Sequence, residues 1–161
     1  MPPTATSLPV SWPAEFAKIV LCKKCQPAEC PKILRDDHEN IPRPGYVGPN
    51  YHAVRLLLVG QNPGVDIVGL SDRDRVYTGA LREVARAPSA TTFISLLSVM
   101  AEFVPSWPIH GRYFPLAECG LGLNDIAYCN AVRCRTVGNT TPTKTMARDC
   151  VDSGASPRHQ R

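Results

Sequence analysis

No stretch of this 161-residue chain approaches the ~18 consecutive apolar residues that a membrane span needs, so no membrane association is expected. The amino-terminal residues lack a basic segment leading into an apolar one. No secretory signal is expected, and the cytoplasm is the expected compartment. No internal repeat marks the chain. Neither sign of charge dominates: a net charge of +4 is a mild bias towards anionic partners, shared by many inert proteins. What is present is enough for one domain with one core, since 43% of the residues are hydrophobic. Sixteen prolines and eleven glycines point to long, irregular connections. Seven cysteines are many for a chain without a secretory signal. In a reducing compartment, metal binding or chemistry explains them better than disulfides.

The stretch Val54 to Gly64 stands out. An apolar run through Val59 leads straight into Gly60-Gln61-Asn62-Pro63-Gly64. A short apolar run bounded by turn residues reads as a strand buried on both faces. Such strands belong to α/β folds, whose ligands bind beyond the carboxyl ends of the strands. Gly60 and Gly64 let the backbone turn sharply and let a ligand approach it.

Around this stretch, residues 1–11 read as a loose arm rich in Pro, Thr and Ser. Trp12 to Val20 reads as a helix with Ser11 as cap. Cys30 to Asn50 reads as an ordered loop over a surface. After Gly64 comes a polar loop running to Gly79, then a short helix over Ala80 to Ala87 stopped by Pro88. Thr91 to Val104 has apolar residues at helical spacing. Pro105 to Gly122 reads as a loop or broken helix. Asn124 to Val132 reads as a second parallel strand, and Thr140 to Cys150 as a helix capped near Thr141. Residues 151–161 form an irregular tail. The order β, α, α, β, α within residues 12–150 fits an α/β sandwich.

Three pieces together resemble the uracil-DNA glycosylase superfamily, and its iron–sulfur branch in particular. Gly60 to Gly64 is similar to the first motif, a strand ending in Gly-x-(Asp/Asn/Ala)-Pro-(Tyr/Gly). Asn130-Ala131-Val132-Arg133-Cys134-Arg135, with Asn139, Pro142 and Cys150 after it, resembles the segment Asn-Val-Val-Lys-Cys-Arg-Pro and its continuation. The match departs at Thr136-Val137 and at Thr140. Cys22-Lys23-Lys24-Cys25 is similar to the family's amino-terminal Cys-x-x-Cys. The resemblance covers roughly residues 15–150. It implies a three-layer α/β/α sandwich with a central parallel sheet, here incomplete, in a monomer.

The resemblance also implies roles. Cys22, Cys25, Cys134 and Cys150 would ligate a 4Fe–4S cluster. Four thiolates suit structural zinc equally well on chemistry alone. Cys30, Cys119 and Cys129 fit no ligand position. Asn130 would read the edge of a flipped uracil, because an amide offers both a donor and an acceptor. On its own it also reads as a strand-end Asn bonding local backbone. Gln61 and Asn62 would be catalytic, Gln61 through its backbone N–H and Asn62 by orienting a water. Gly60, Pro63 and Gly64 would shape the base-binding turn. Tyr77 takes the place of a base-stacking aromatic, and a lone aromatic is also a common core residue. Lys23, Lys24, Arg133 and Arg135 would hold DNA phosphates, which position without reading sequence.

Hydrolysis of the N-glycosidic bond of uracil in DNA, for base excision repair, is the expected function, with uracil-containing DNA as partner. The family's later His-Pro-Ser motif has no counterpart: His159 does not match it. A truncated chain with little or no excision is expected. The alternative is a non-enzymatic nucleic-acid-binding module stabilised by an iron–sulfur cluster or zinc. A small redox protein ranks last, because the Cys-x-x-Cys precedes the first strand instead of following one.

Overall fold

The computed structural model describes residues 10–25, 30–36, 39–64, 71–106 and 114–152. Most of the expected arm (1–9) and of the expected tail (153–161, with His159) lies outside them. The fold is mixed α/β. Helix α1 spans Trp12–Val20, opened by Pro13 and burying Phe16, Ile19 and Val20. Strand β1 is Ile33–Leu34, and β2 is Tyr46–Val47. A short helix α2, Tyr51–Val54, ends at Arg55, whose φ of 58° is left-handed. Strand β3 then runs Leu56–Gly60. Val54 therefore belongs to α2 and not to the strand.

Helix α3 spans Asp72–Arg86, which corrects the expected loop over 72–79. The Ser71 hydroxyl accepts from the Asp74 backbone N–H at 3.2 Å, and Asp72 and Asp74 place negative charge on the first turn. Helix α4, Ala90–Phe103, starts at a reciprocal cap. Ser89 Oγ accepts from Thr92 N–H and Thr92 Oγ1 accepts from Ser89 N–H, each at 3.2 Å. Strand β4 is Ile126–Asn130, β5 is Arg135–Thr136, and helix α5 is Lys144–Asp152.

Helices α1, α3 and α4 pack into one apolar core, with Phe16 set edge-on to Phe93 at 4.8 Å. Three strands form a sheet in the order β2-β4-β3. Strands β3 and β4 are parallel, from Leu56 opposite Ile126 to Gly60 opposite Asn130. Strand β2 is antiparallel to β4. Among the described residues the parallel arrangement is thus a single pair. A separate antiparallel pair, β1 with β5, sets Ile33 opposite Thr136.

Two further expectations are corrected. Strand β3 is buried on one face only: Leu58 packs with Leu116 and Ile126, but Leu57 and Val59 are 47% and 60% exposed. As the edge strand, β3 receives no cover on that face from the described residues. The Pro/Gly-rich segment before β2 is not a surface loop, since Ile41 through Tyr46 are buried. Gly45, at φ 110°, lies so close to β4 that a Cβ would overlap the Tyr128 carbonyl oxygen. Among the described residues no helix is long and apolar enough to cross a membrane.

Candidate functional site

The parallel register brings the two expected motifs together. Gly60 closes β3 directly beside Asn130, which closes β4. The chain after each strand is tied to its neighbour: Ala131 N–H donates to Gly60 O at 2.9 Å, and Val132 N–H to Gln61 O at 3.0 Å. Asn130 is 5% exposed, and its Oδ1 accepts from the Tyr128 hydroxyl at 2.8 Å. That bond anchors the amide, and in this arrangement Nδ2 is the end left to donate. Gly60 is required here by space, because a Cβ would overlap both the Tyr128 hydroxyl and Asn130 Oδ1. Gly64 is not so constrained: its nearest neighbour to an added Cβ is Asn139 Oδ1 at 4.0 Å.

In the turn itself, Gln61 and Gly64 are exposed and Pro63 is buried. Asn62 Nδ2 donates to Thr136 Oγ1 at 3.0 Å, and Thr136 Oγ1 donates to Thr140 O at 2.6 Å. Asn62 is thereby oriented with Oδ1 as its acceptor end. A water held there would donate to Oδ1.

Behind the turn lies a buried charge cluster. Asp74 Oδ1 accepts from Arg135 at 2.5 Å and lies 3.1 Å from Arg43. Arg43 also donates to Thr78 Oγ1 at 3.1 Å, and Arg135 Nε to Gly64 O at 3.2 Å. The cluster therefore ties the turn to α3. Burial, and then the like charge of Arg43, lowers the Arg135 guanidinium to about 10, still cationic at neutral pH. Burial lowers Arg43 as well. Arg135, fully buried and engaged with Asp74, is not a phosphate contact, which corrects that expectation. Arg133 is half-buried and donates to Pro44 O.

Tyr77 sits inside α3 rather than in a loop, with 0% of its surface exposed. Its ring carries the Arg43 guanidinium 4.8 Å from its centroid and tilts against Phe103 at 5.1 Å. In this arrangement it offers no free face to a base. Its hydroxyl has no hydrogen-bond partner among the described residues. Burial pushes that hydroxyl up to about 12. Tyr77→Phe removes an orphaned buried group, so an intact fold and a gain on the order of 1 kcal/mol in urea unfolding are expected. A loss of that size would show the hydroxyl to be bonded.

The thiols meet at a second place. Cys22, Cys25, Cys134 and Cys150 all line one cavity of about 240 Å³. Cys25, Cys134 and Cys150 are buried together with Ile33, Val132 and Met146, and Cys30 packs against that group. Cys119 is exposed and Cys129 lies in β4. Burial, and then the charge of Cys150, pushes the Cys25 and Cys134 thiols up to about 12. Lys18, Lys23, Lys24, Arg35 and Arg133 outnumber Glu15 and Asp149 on the cavity wall. Among the described residues no group of three or more His, Cys, Asp or Glu forms a ready-made metal site. The thiols share a cavity, not a coordination sphere.

Sequence reasoning missed four contributors: Tyr128, Thr136, Asp74 and Cys30. Two left a signal. Tyr128 and Asn130 are two apart on a strand and so share a face. Ser71 three residues before Asp74 is a helix-start pattern. No family model, curated protein or solved structure matches the chain.

Proposed function

We propose that the chain is a uracil-DNA glycosylase-like protein that holds a flipped uracil at the carboxyl ends of β3 and β4. The observation that carries this reading is the pairing of Gly60 with Asn130, whose amide is oriented by Tyr128. Asn130 Nδ2 donates to uracil O4, and the second lone pair of Oδ1 accepts from uracil N3–H. Cytosine presents the reverse pattern there and is refused. Gly60, without a side chain, lets the base lie against the backbone. Asn62 Oδ1 accepts from a water and points its oxygen at C1′ of the sugar. The C1′–N1 bond breaks with its electron pair leaving on uracil, the water oxygen bonds to C1′, and the proton that the water sheds passes to solvent, from which uracil N1 takes one up. An amide is a weak base, so it orients this water more than it activates it. In this reading β3 and β4 are the centre of an incomplete three-layer sandwich.

Four thiols have the donor chemistry of a structural metal centre and line one cavity with excess cationic charge on its wall, although they are not gathered into a metal-binding group in this arrangement. Bound metal would hold these thiols as thiolates. The family resemblance favours a 4Fe–4S cluster over zinc, which four thiolates would suit equally. The centre would tie the end of α1 to β5 and α5. Lys23, Lys24 and Arg133 on its rim are suited to DNA phosphates.

The test is an oligonucleotide carrying one uracil, incubated with protein and then treated with alkali. Excision is expected to be weak, since no His-Pro-Ser counterpart is found to stabilise the departing uracil, and whatever excision is seen is expected to disappear in Asn62→Ala and Asn130→Ala with circular dichroism unchanged. Absence of both cleavage and any preference for uracil over cytosine DNA would sink the reading. The basic rim of the thiol cavity favours one alternative, a nucleic-acid-binding module. That module would bind DNA in a salt-sensitive way without base preference.

A further inference from the structure

We infer that the groove between the end of α1, the middle of α3 and the segment around Arg35 to Ile41 binds a small phosphate monoester carried on an apolar body. The groove is a cavity of about 410 Å³, within the roughly 300–1,000 Å³ of small-molecule sites. Neither the turn after β3 nor any thiol lines it. Its wall has two kinds of surface. Leu21, Ile41 and Ala85 supply an apolar part. Lys23, Arg35, Arg82 and Arg86 supply positive charge, against the carboxylates of Asp36 and Glu83.

Both carboxylates are already engaged. Glu83 Oε2 accepts from Arg86 at 2.5 Å. Asp36 accepts from the Glu39 backbone N–H and from Asn40 Nδ2, each at 2.6 Å. That leaves Arg35 and Arg82, whose guanidiniums have no ion-pair or hydrogen-bond partner among the described residues. Arg35 Nη1 is withdrawn from solvent without a bond, a costly state for a charged group unless something else satisfies it. A guanidinium is a planar fork that fits phosphate oxygens, and two of them balance a dianion. Gly79 keeps the groove open. It lies inside α3, where glycine weakens a helix relative to alanine. Nothing lies within 4 Å of the place its Cβ would take, so no protein neighbour requires the glycine. A larger side chain at this position would stand in the groove it lines.

The test is calorimetric titration of the full chain with phenyl phosphate at low salt, beside inorganic phosphate and phenol as the two halves of the probe. Phenyl phosphate is expected to saturate one site per chain, with each half binding at least tenfold more weakly. Arg35→Gln and Arg82→Gln are each expected to weaken binding at least tenfold. Arg73→Gln, on the same helix but away from the groove, removes the same charge and is expected to change it less than twofold. Gly79→Leu is expected to abolish binding while melting no lower than the unsubstituted protein, since leucine is the better helix former. No saturable binding of phenyl phosphate overturns the inference. So do equal affinity for inorganic phosphate, a loss in Arg73→Gln as large as in Arg82→Gln, and unchanged binding in Gly79→Leu. Should Arg35→Gln fail to fold, Arg82→Gln and Gly79→Leu, both at exposed positions, still decide.

Discussion

Asp74→Ala is expected to lower the unfolding free energy by about 3–5 kcal/mol, the loss seen when one partner leaves a buried ion pair. Asp74 is the carboxylate shared by Arg43 and Arg135. Without it two buried guanidiniums face each other with no counter-charge. Each already has a buried nitrogen with no partner among the described residues, Arg43 Nε and Arg135 Nη1. Nothing nearby is therefore poised to absorb the lost bonds. For a chain of this size the melting temperature should fall on the order of 10 °C. Asp72→Ala is the matched control. It lies on the same helical turn, its side chain is 97% exposed, and its ion pair with Arg75 is a surface pair. It should cost under about 1 kcal/mol. Adding Arg135→Met to Asp74→Ala removes one stranded charge and should recover part of the loss. If Asp74→Ala unfolds within 1 kcal/mol of the unsubstituted protein, the cluster is a break-even arrangement.

In the glycosylase proposed above, Asn130→Ala is expected to reduce whatever uracil excision the protein shows on the order of 10²–10³-fold, as for loss of a preorganised donor at a reacting group. Tyr128→Phe should cost far less, about tenfold, since it removes one neutral hydrogen bond worth about 1 kcal/mol. Its effect should be qualitative too. The Tyr128 hydroxyl holds Asn130 Oδ1 at 2.8 Å and so anchors the amide. Without it the amide can turn over and present the cytosine pattern. Discrimination between uracil and cytosine DNA should narrow in Tyr128→Phe, with circular dichroism unchanged. Discrimination that stays constant while activity falls would assign Tyr128 to packing alone. Gly60→Ala tests the same corner from the other strand. A Cβ there overlaps both groups, so one of them must move.

Much of the frame was legible in order. The apolar run before Gly60 and the one before Asn130 both became strands, paired in parallel. Helices α1 and α4 follow their apolar spacing closely. Only the second half of helix α3, from Ala80, was legible, because its first turns are charged, although the Ser71 cap was present in the sequence. The one-sided burial of β3 was not legible either. Leu56 through Val59 are apolar at every position, so no alternation marks which face is open. Composition also misjudged the segment Ile41 to Tyr46. Its prolines and glycine read as surface, yet it threads against β4 where only a glycine fits at position 45.

By itself the sequence determined the two apolar runs and the turn after each, because these depend on residues adjacent along the chain. The tertiary structure decided how those pieces meet. Residues 43, 74 and 135 carry no mark of partnership until folding excludes water and leaves each charge only the others. The same holds at the turn after β3. Gly60 needs to be glycine only because the parallel register sets Asn130 and Tyr128 against it, and that register is a property of two strands together.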